Sequence, residues 1–271
     1  MPFLDAADGT TLYYADWGSG RPVVFIHGWA MNSNMWEYQL PWLIDQSVRC
    51  VVYDQRGCGR SDHPARGYDF DTLAADLDVV LRRVDAHHAT LVGFSLGGGV
   101  IARYLARYGS DRVARTVMIG TNTPYLWKCD DNPEGLDRSR VYEGFMHGLQ
   151  TDRPKLLAEC APAFFGEGAV SKQMAEWVVG LCHGSNPVGM LELYRAVNHT
   201  DFRPDMAAFT MPTLIIHGDA DPFQPIEATG RRTARAIRSS RLIEYEGASH
   251  GLFVTHRERL NADLLVGSRD L

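Results

Sequence analysis

The stretch that most restricts this fold is residues 89–108, Ala-Thr-Leu-Val-Gly-Phe-Ser-Leu-Gly-Gly-Gly-Val-Ile-Ala-Arg-Tyr-Leu-Ala-Arg-Tyr. A short apolar run, Leu91-Val92, meets Gly93-Phe94-Ser95-Leu96-Gly97. A helical pattern follows at once in Val100, Ile101, Tyr104, Leu105 and Tyr108. The order predicts a strand, a one-residue corner and a helix, with G-x-S-x-G at the corner. On so sharp a turn Ser95 sits in strained backbone geometry, and side chains at 93 and 97 would collide with neighbouring backbone. The strain lifts the hydroxyl above the sheet edge, where the helix N-terminus and the Leu96 N–H face an anion formed by attack on a carbonyl. A glycine-rich turn that merely packs tightly gives the same local pattern, so the rest of the chain has to decide.

Around this unit the chain alternates. Asp8-Gly9 breaks two amino-terminal segments as a hairpin turn does. Pro22–Ile26 and Cys50–Tyr53 are apolar runs that read as strands buried on both faces. A helix is expected over Asn34–Ile44, and an amphipathic one from about Asp71 with Leu73, Leu77, Val80, Leu81 and Val84 on one face. Strand Thr116–Gly120 follows the Ser95 unit. The alternation resumes with strand Thr213–Ile216, helix Glu227–Ile237, strand Arg241–Tyr245 and a last helix near Arg257–Leu265. This predicts an α/β fold, a mostly parallel central sheet with helices on both faces. Residues 1–120 and 211–271 form the core. Residues 121–210, punctuated by Pro133, Pro154, Pro162, Pro187 and Pro204, read as an inserted helical cap over the carboxyl ends of the strands.

Composition excludes several function classes. A net charge of −6 over 271 residues disfavours nucleic-acid and anionic-membrane surfaces, which want a basic patch. No apolar run approaches the roughly 18 residues that span a bilayer, and the first residues show neither a basic region nor a long apolar core. The five cysteines are scattered without C-x-x-C or metal spacing, as expected of thiols in a reducing compartment. The expectation is a cytoplasmic protein with no metal site, no nucleic-acid or membrane partner, and self-association left open.

Polar residues collect where strands end. His27-Gly28-Trp29, Ser95, the Gly218-Asp219-Ala220-Asp221 loop and His250 each fall just beyond a predicted strand, the edge where open α/β sheets bind ligands. A serine hydroxyl needs a base, and the base needs a carboxylate to fix its tautomer. Ser95 is thus the candidate nucleophile and His250 the candidate base. Asp219 and Asp221 both follow the same strand, and spacing alone leaves the choice of acid open. His27 and His217, beside glycine at strand ends, read as satisfying backbone groups; His87, His88 and His256 read as surface positions.

The chain resembles the cofactor-free bacterial arylesterase, perhydrolase and non-haem haloperoxidase branch of the α/β-hydrolases. The resemblance rests on Asp54-Gln55-Arg56-Gly57-Cys58-Gly59-Arg60-Ser61, His27-Gly28-Trp29 and Gly93–Gly99. Thr200-Asp201-Phe202-Arg203-Pro204-Asp205, His217–Asp221 and Ser249-His250-Gly251 extend it nearly end to end. It is weakest over about residues 128–198. It implies an α/β-hydrolase fold with a Ser95–His250–Asp221 triad and oxyanion donors from the backbone N–H of Trp29 and Leu96. It further implies hydrolysis of small carboxylic esters without a cofactor, lactones or amides being open to the same machinery. An apolar substrate pocket is expected from Trp29, Phe94, Leu126, Tyr142, Phe164, Phe165, Phe223 and Ile226. Peroxide-using members commonly carry proline after His-Gly-Trp, where this chain has Ala30, which ranks perhydrolysis second. A non-catalytic binding scaffold, which would tolerate loss of a triad member, ranks below both.

Overall fold

Eight strands form one sheet in the computed structural model, which describes residues 2–269. They are β1 (Phe3–Asp5), β2 (Thr11–Trp17), β3 (Pro22–Ile26), β4 (Arg49–Tyr53), β5 (Ala89–Phe94), β6 (Val113–Ile119), β7 (Thr213–Gly218) and β8 (Ser240–Tyr245). The order across the sheet is β1-β2-β4-β3-β5-β6-β7-β8. β1 and β2 are antiparallel, joined through the Asp8-Gly9 turn, and β2 lies antiparallel on β4; every other pairing is parallel. The chain leaves β3 for β4 on one side and returns to β5 on the other. A crevice therefore opens between the carboxyl ends of β3 and β5, at the point where strand order reverses.

The described residues form ten α-helices: α1 (Leu40–Asp45), α2 (Phe70–Arg83), α3 (Leu96–Tyr108), α4 (Ser139–Thr151), α5 (Arg153–Phe165), α6 (Lys172–His183), α7 (Pro187–His199), α8 (Gly230–Ala236), α9 (Leu252–Thr255) and α10 (Arg257–Arg269). Alternate strand residues feed two separate cores. Val24, Ile26, Leu91 and Met118 pack with Leu73, Leu77 and Ile101 of α2 and α3, whereas Val23, Phe25, Val92 and Val117 pack with Leu43 of α1 and Leu260 and Leu264 of α10. All five residues of the apolar stripe predicted on α2 are buried. Asp69 caps that helix by accepting from the Thr72 N–H at 2.9 Å.

Two helices differ from expectation. The segment predicted as one helix over Asn34–Ile44 is a 3-10 turn, Ser33–Trp36, followed by α1. Pro41 has no N–H for a continuous helix and is accommodated only in the first turn of a new one. α8 starts at Gly230, later than Glu227, because Thr229 Oγ1 donates to the Gln224 and Pro225 carbonyls within a preceding turn. Between β6 and β7, α4 to α7 form consecutive helices. Pro154 and Pro187 open α5 and α7, and Pro204 opens a short 3-10 segment. Pro162 lies inside α5, one turn from its end.

The Asp54–Ser61 motif is a scaffold beside the crevice. Asp54 is fully buried and accepts from the Ser33 N–H and hydroxyl through Oδ1, and from the Arg60 N–H and Nε through Oδ2. Arg56 is buried against Asp76 at 2.6 Å and reaches the more exposed Asp8 at 2.8 Å. Removing one partner strands a buried charge. Asp76→Ala is expected to cost about 3–5 kcal/mol, read as a lower urea midpoint, while Arg82→Ala, whose partner Asp78 is reached from an exposed side chain, should cost under about 1 kcal/mol.

Candidate active site

Ser95 occupies the single-residue corner between β5 and α3 with φ 52° and ψ −115°. A positive φ in a non-glycine residue stores about 1–3 kcal/mol. The corner is held by Ser95 N–H donating to Ile119 O at 2.8 Å and Gly98 N–H donating to Ser95 O at 2.9 Å. Both motif glycines are sterically required. A Cβ on Gly93 would lie 2.5 Å from the Gly97 carbonyl carbon, and one on Gly97 would lie 2.5 Å from Ile26 O. The second contact draws α3 against the end of β3, beside His27.

That neighbour supplies the facing peptide. His27 is buried, and burial pushes its imidazole pKa down, so the ring is neutral. Nδ1–H donates to Gly28 O at 2.9 Å while Nε2 accepts from the Gln55 N–H at 2.9 Å. Gly28 C=O and Trp29 N–H belong to one planar peptide, so fixing the carbonyl fixes the direction of the N–H. Two further bonds come from the inserted helices. Trp29 Nε1–H donates to Met190 O at 2.8 Å, and Ser185 Oγ–H donates to Ala30 O at 2.7 Å. On the other side of the crevice, Leu96 N–H is the first of α3, where N–H groups lack intrahelical partners.

The two aspartates separate clearly. Asp219 Oδ1 accepts from the exposed Gly247 N–H at 2.7 Å, a loop contact. Asp221 is buried, and its Oδ2 lies 2.6 Å from His250 Nδ1. Its Oδ1 accepts from the N–H groups of Phe223 and Gln224, each at 2.8 Å. Burial pushes this carboxyl up, yet the His250 ring, His217 and the Gln224 N–H outweigh it and hold the group below its usual range. With Nδ1 committed to Asp221, the other nitrogen of His250 is left for a reacting group. The ring is wedged between Phe94, at 4.8 Å between centroids, and Phe164, at 5.4 Å. Its flanking residues are tied to α5: Ser249 Oγ–H donates to Ala163 O and Gly251 N–H to Phe164 O, both at 2.6 Å. His217 donates to Gln224 O at 2.7 Å. His87 and His88 are exposed, whereas His256 is half-buried against Tyr245.

Ser95, His250 and Trp29 share the wall of one cavity of about 220 Å³, roofed by α4 to α7. Cavities near 150 Å³ hold benzene, so this one has room for a small acyl or aryl group. Of the residues expected in the pocket, Trp29, Phe164, Phe165 and Phe223 line it. Phe94 does not: it lies beneath His250, packed against Phe253 in the core. Leu126 and Ile226 are buried off the cavity wall, Leu126 within the core on the α2–α3 face. Tyr142 stacks behind Tyr194, and Phe145, one turn further along α4, takes the wall position. Residue-type reasoning also missed Arg138, the one charged side chain on the wall among the described residues. Among the described residues no three His, Cys, Asp or Glu side chains are grouped to hold a metal ion, and no helix is long and apolar enough to cross a membrane.

This architecture is that of the family described as the alpha/beta hydrolase fold, whose model matches residues 21–166. A non-heme chloroperoxidase of Kitasatospora aureofaciens is 37% identical over 98% of both chains. A bifunctional esterase/perhydrolase of Acinetobacter calcoaceticus is 32% identical over 98% of this chain and 99% of its own. The crystal structure of a bromoperoxidase from Bacillus anthracis superposes with a TM-score of 0.94 at 40% identity, covering 99% of this chain and 100% of that one. The chain belongs to the alpha/beta hydrolase fold family and, within it, to the branch of non-heme haloperoxidases and esterase/perhydrolases.

The aspartate geometry yields a direct comparison. Asp221→Asn is expected to lower aryl-ester kcat by about 10³–10⁴-fold in a folded protein, as the wrong tautomer does in other triads. Asp219→Asn should leave kcat within about threefold and act on thermal stability by about 1 kcal/mol, the worth of one loop hydrogen bond. Loss of activity from Asp219→Asn alone would assign the acid to the other carboxylate.

Proposed function

We propose that this protein is a serine esterase acting on small carboxylic esters or lactones. The observation that carries the reading is the 2.6 Å contact of Asp221 with His250, with His250 and Ser95 on the wall of one largely apolar cavity. Ser95 Oγ attacks the carbonyl carbon, and His250 Nε2 takes its proton and returns it to the leaving alcohol. Asp221 holds Nδ1 and stabilises the imidazolium. The N–H groups of Trp29 and Leu96 receive the oxyanion, and water attacks the acyl-enzyme to release the acid. The helices α4 to α7 serve as a cap that sizes the acyl group. Five thiols without a disulfide among the described residues suit a reducing, cytoplasmic setting. A serine-directed phosphonate should label Ser95, and Ser95→Ala should abolish aryl-ester turnover; label on another serine, or near-normal turnover in the variant, would sink the assignment.

A second reading, perhydrolysis, is favoured by the esterase/perhydrolase relative and the haloperoxidase relatives. Both reactions share an acyl-enzyme, and hydrogen peroxide in place of water gives a peracid. The choice depends on where the Trp29 peptide groups point beside Ser95. Ala30 is fully buried and its carbonyl is held by Ser185. Proline at 30 would push Trp29 toward extended geometry, and about 1.4 kcal/mol between the competing barriers changes the ratio tenfold. The protein is therefore expected to make mainly acid from one ester in peroxide, and Ala30→Pro to raise the peracid-to-acid ratio. Mostly peracid from the unmodified protein would reverse the ranking.

A further inference from the structure

Arg138 lies immediately before α4 and is half-buried on the cavity wall that carries Ser95 and His250. Only one of its nitrogens is committed to the protein. Nη2 donates to Phe223 O at 2.7 Å and, weakly, to Pro222 O at 3.4 Å. No carboxylate pairs with it among the described residues, and its Nε and Nη1 donors have no protein partner there. The nearby Asp221 is already engaged by His250 and two backbone N–H groups. Burial pushes the Arg138 pKa down, against the weaker opposing pull of Tyr194 and Asp221.

An arginine on a largely apolar wall, with no carboxylate bonded to it and with Nη1 unengaged, offers a charge-assisted donor to an anionic group. We propose that Arg138 selects substrates bearing a free carboxylate, so that the preferred ester or lactone is a half-ester of a dicarboxylic acid or a carboxylated lactone. This rests on the esterase reading and deepens it. The reactive carbonyl sits at Ser95, and the second, anionic carboxyl is received by the unengaged Nη1 of Arg138. The remaining wall, contributed by Phe145, Phe164, Val178 and Tyr194, covers the apolar spacer between them.

Matched substrates test the proposal: monomethyl and dimethyl esters of linear dicarboxylic acids of four to six carbons. The readout is the ratio of kcat/KM for the monoanion to that for the neutral diester. The ratio cancels any effect of Arg138 on the Asp221 loop, which acts on both substrates alike. The unmodified protein should favour the monoanion by about tenfold or more, chiefly through KM, as a charge-assisted hydrogen bond predicts. Arg138→Gln should collapse the ratio, and Arg138→Lys, which keeps the charge on a shorter side chain, should retain part of it. An unmodified protein that prefers the diester, or a ratio unchanged in Arg138→Gln, overturns the proposal.

Calorimetric titration of Ser95→Ala with the same two esters separates binding from turnover. Tenfold tighter binding of the monoanion, lost on adding Arg138→Gln, supports the proposal even if neither ester is hydrolysed, in which case the esterase reading alone fails. Equal binding of the two esters overturns it.

Discussion

The strained corner at Ser95 is the constraint from which the rest of the site follows. Holding a serine at φ 52° requires surrounding structure that over-determines it, and this chain supplies that by close approach. Gly93 admits the Gly97 backbone, and Gly97 admits the end of β3. The same closeness puts the first N–H groups of α3 opposite the Gly28–Trp29 peptide. Because β3 and β5 are neighbours from which the chain departs in opposite directions, nothing fills the crevice between their ends. The placements of Ser95 and of the Gly28–Trp29 peptide beside it are thus consequences of one packing decision.

The inserted helices do more than roof the cavity. They hold both halves of the machinery by hydrogen bonds to main-chain groups: α5 carbonyls fix Ser249 and Gly251 on either side of His250, while Ser185 and Met190 fix Ala30 and the Trp29 ring. Pro162 lies inside α5, immediately before the carbonyl groups of Ala163 and Phe164 that hold the His250 loop. A side-chain change in this segment can therefore reach the reacting atoms without lining the cavity.

The strand-corner-helix unit, the alternating sheet and the collection of Ser95, the Asp219–Asp221 loop and His250 beyond strand ends were legible in the sequence because each has a short-range signature: a glycine spacing, an apolar run, a polar group at a strand end. The two aspartates were not separable by spacing, since what distinguishes them is which backbone N–H groups the loop turns inward. The cavity wall was half legible. Phe94 belongs to β5, where alternation sends it to the face shared with Val92 and away from the crevice. Tyr142 and Phe145 are one helical turn apart on α4, and only tertiary packing decides which of them meets the cavity. Arg138 gave no signal, because a charged residue just before a helix ordinarily lies in solvent.

Its position nonetheless bears on the loop that carries Asp221, which has no ion pair to lysine or arginine among the described residues. Pro222 O and Phe223 N–H are the two ends of one peptide, and Phe223 O and Gln224 N–H are the two ends of the next. Both N–H groups donate to Asp221 Oδ1, and both carbonyls accept from Arg138 Nη2. Hydrogen bonds in such a chain polarise one another, strengthening each by about 10–30%. The arginine thereby orients and polarises the two peptides whose N–H groups meet Asp221 Oδ1, and Oδ2 is left to His250. The carboxylate oxygen nearest the ring is thereby held in one place, and with it the orientation of the His250 imidazole.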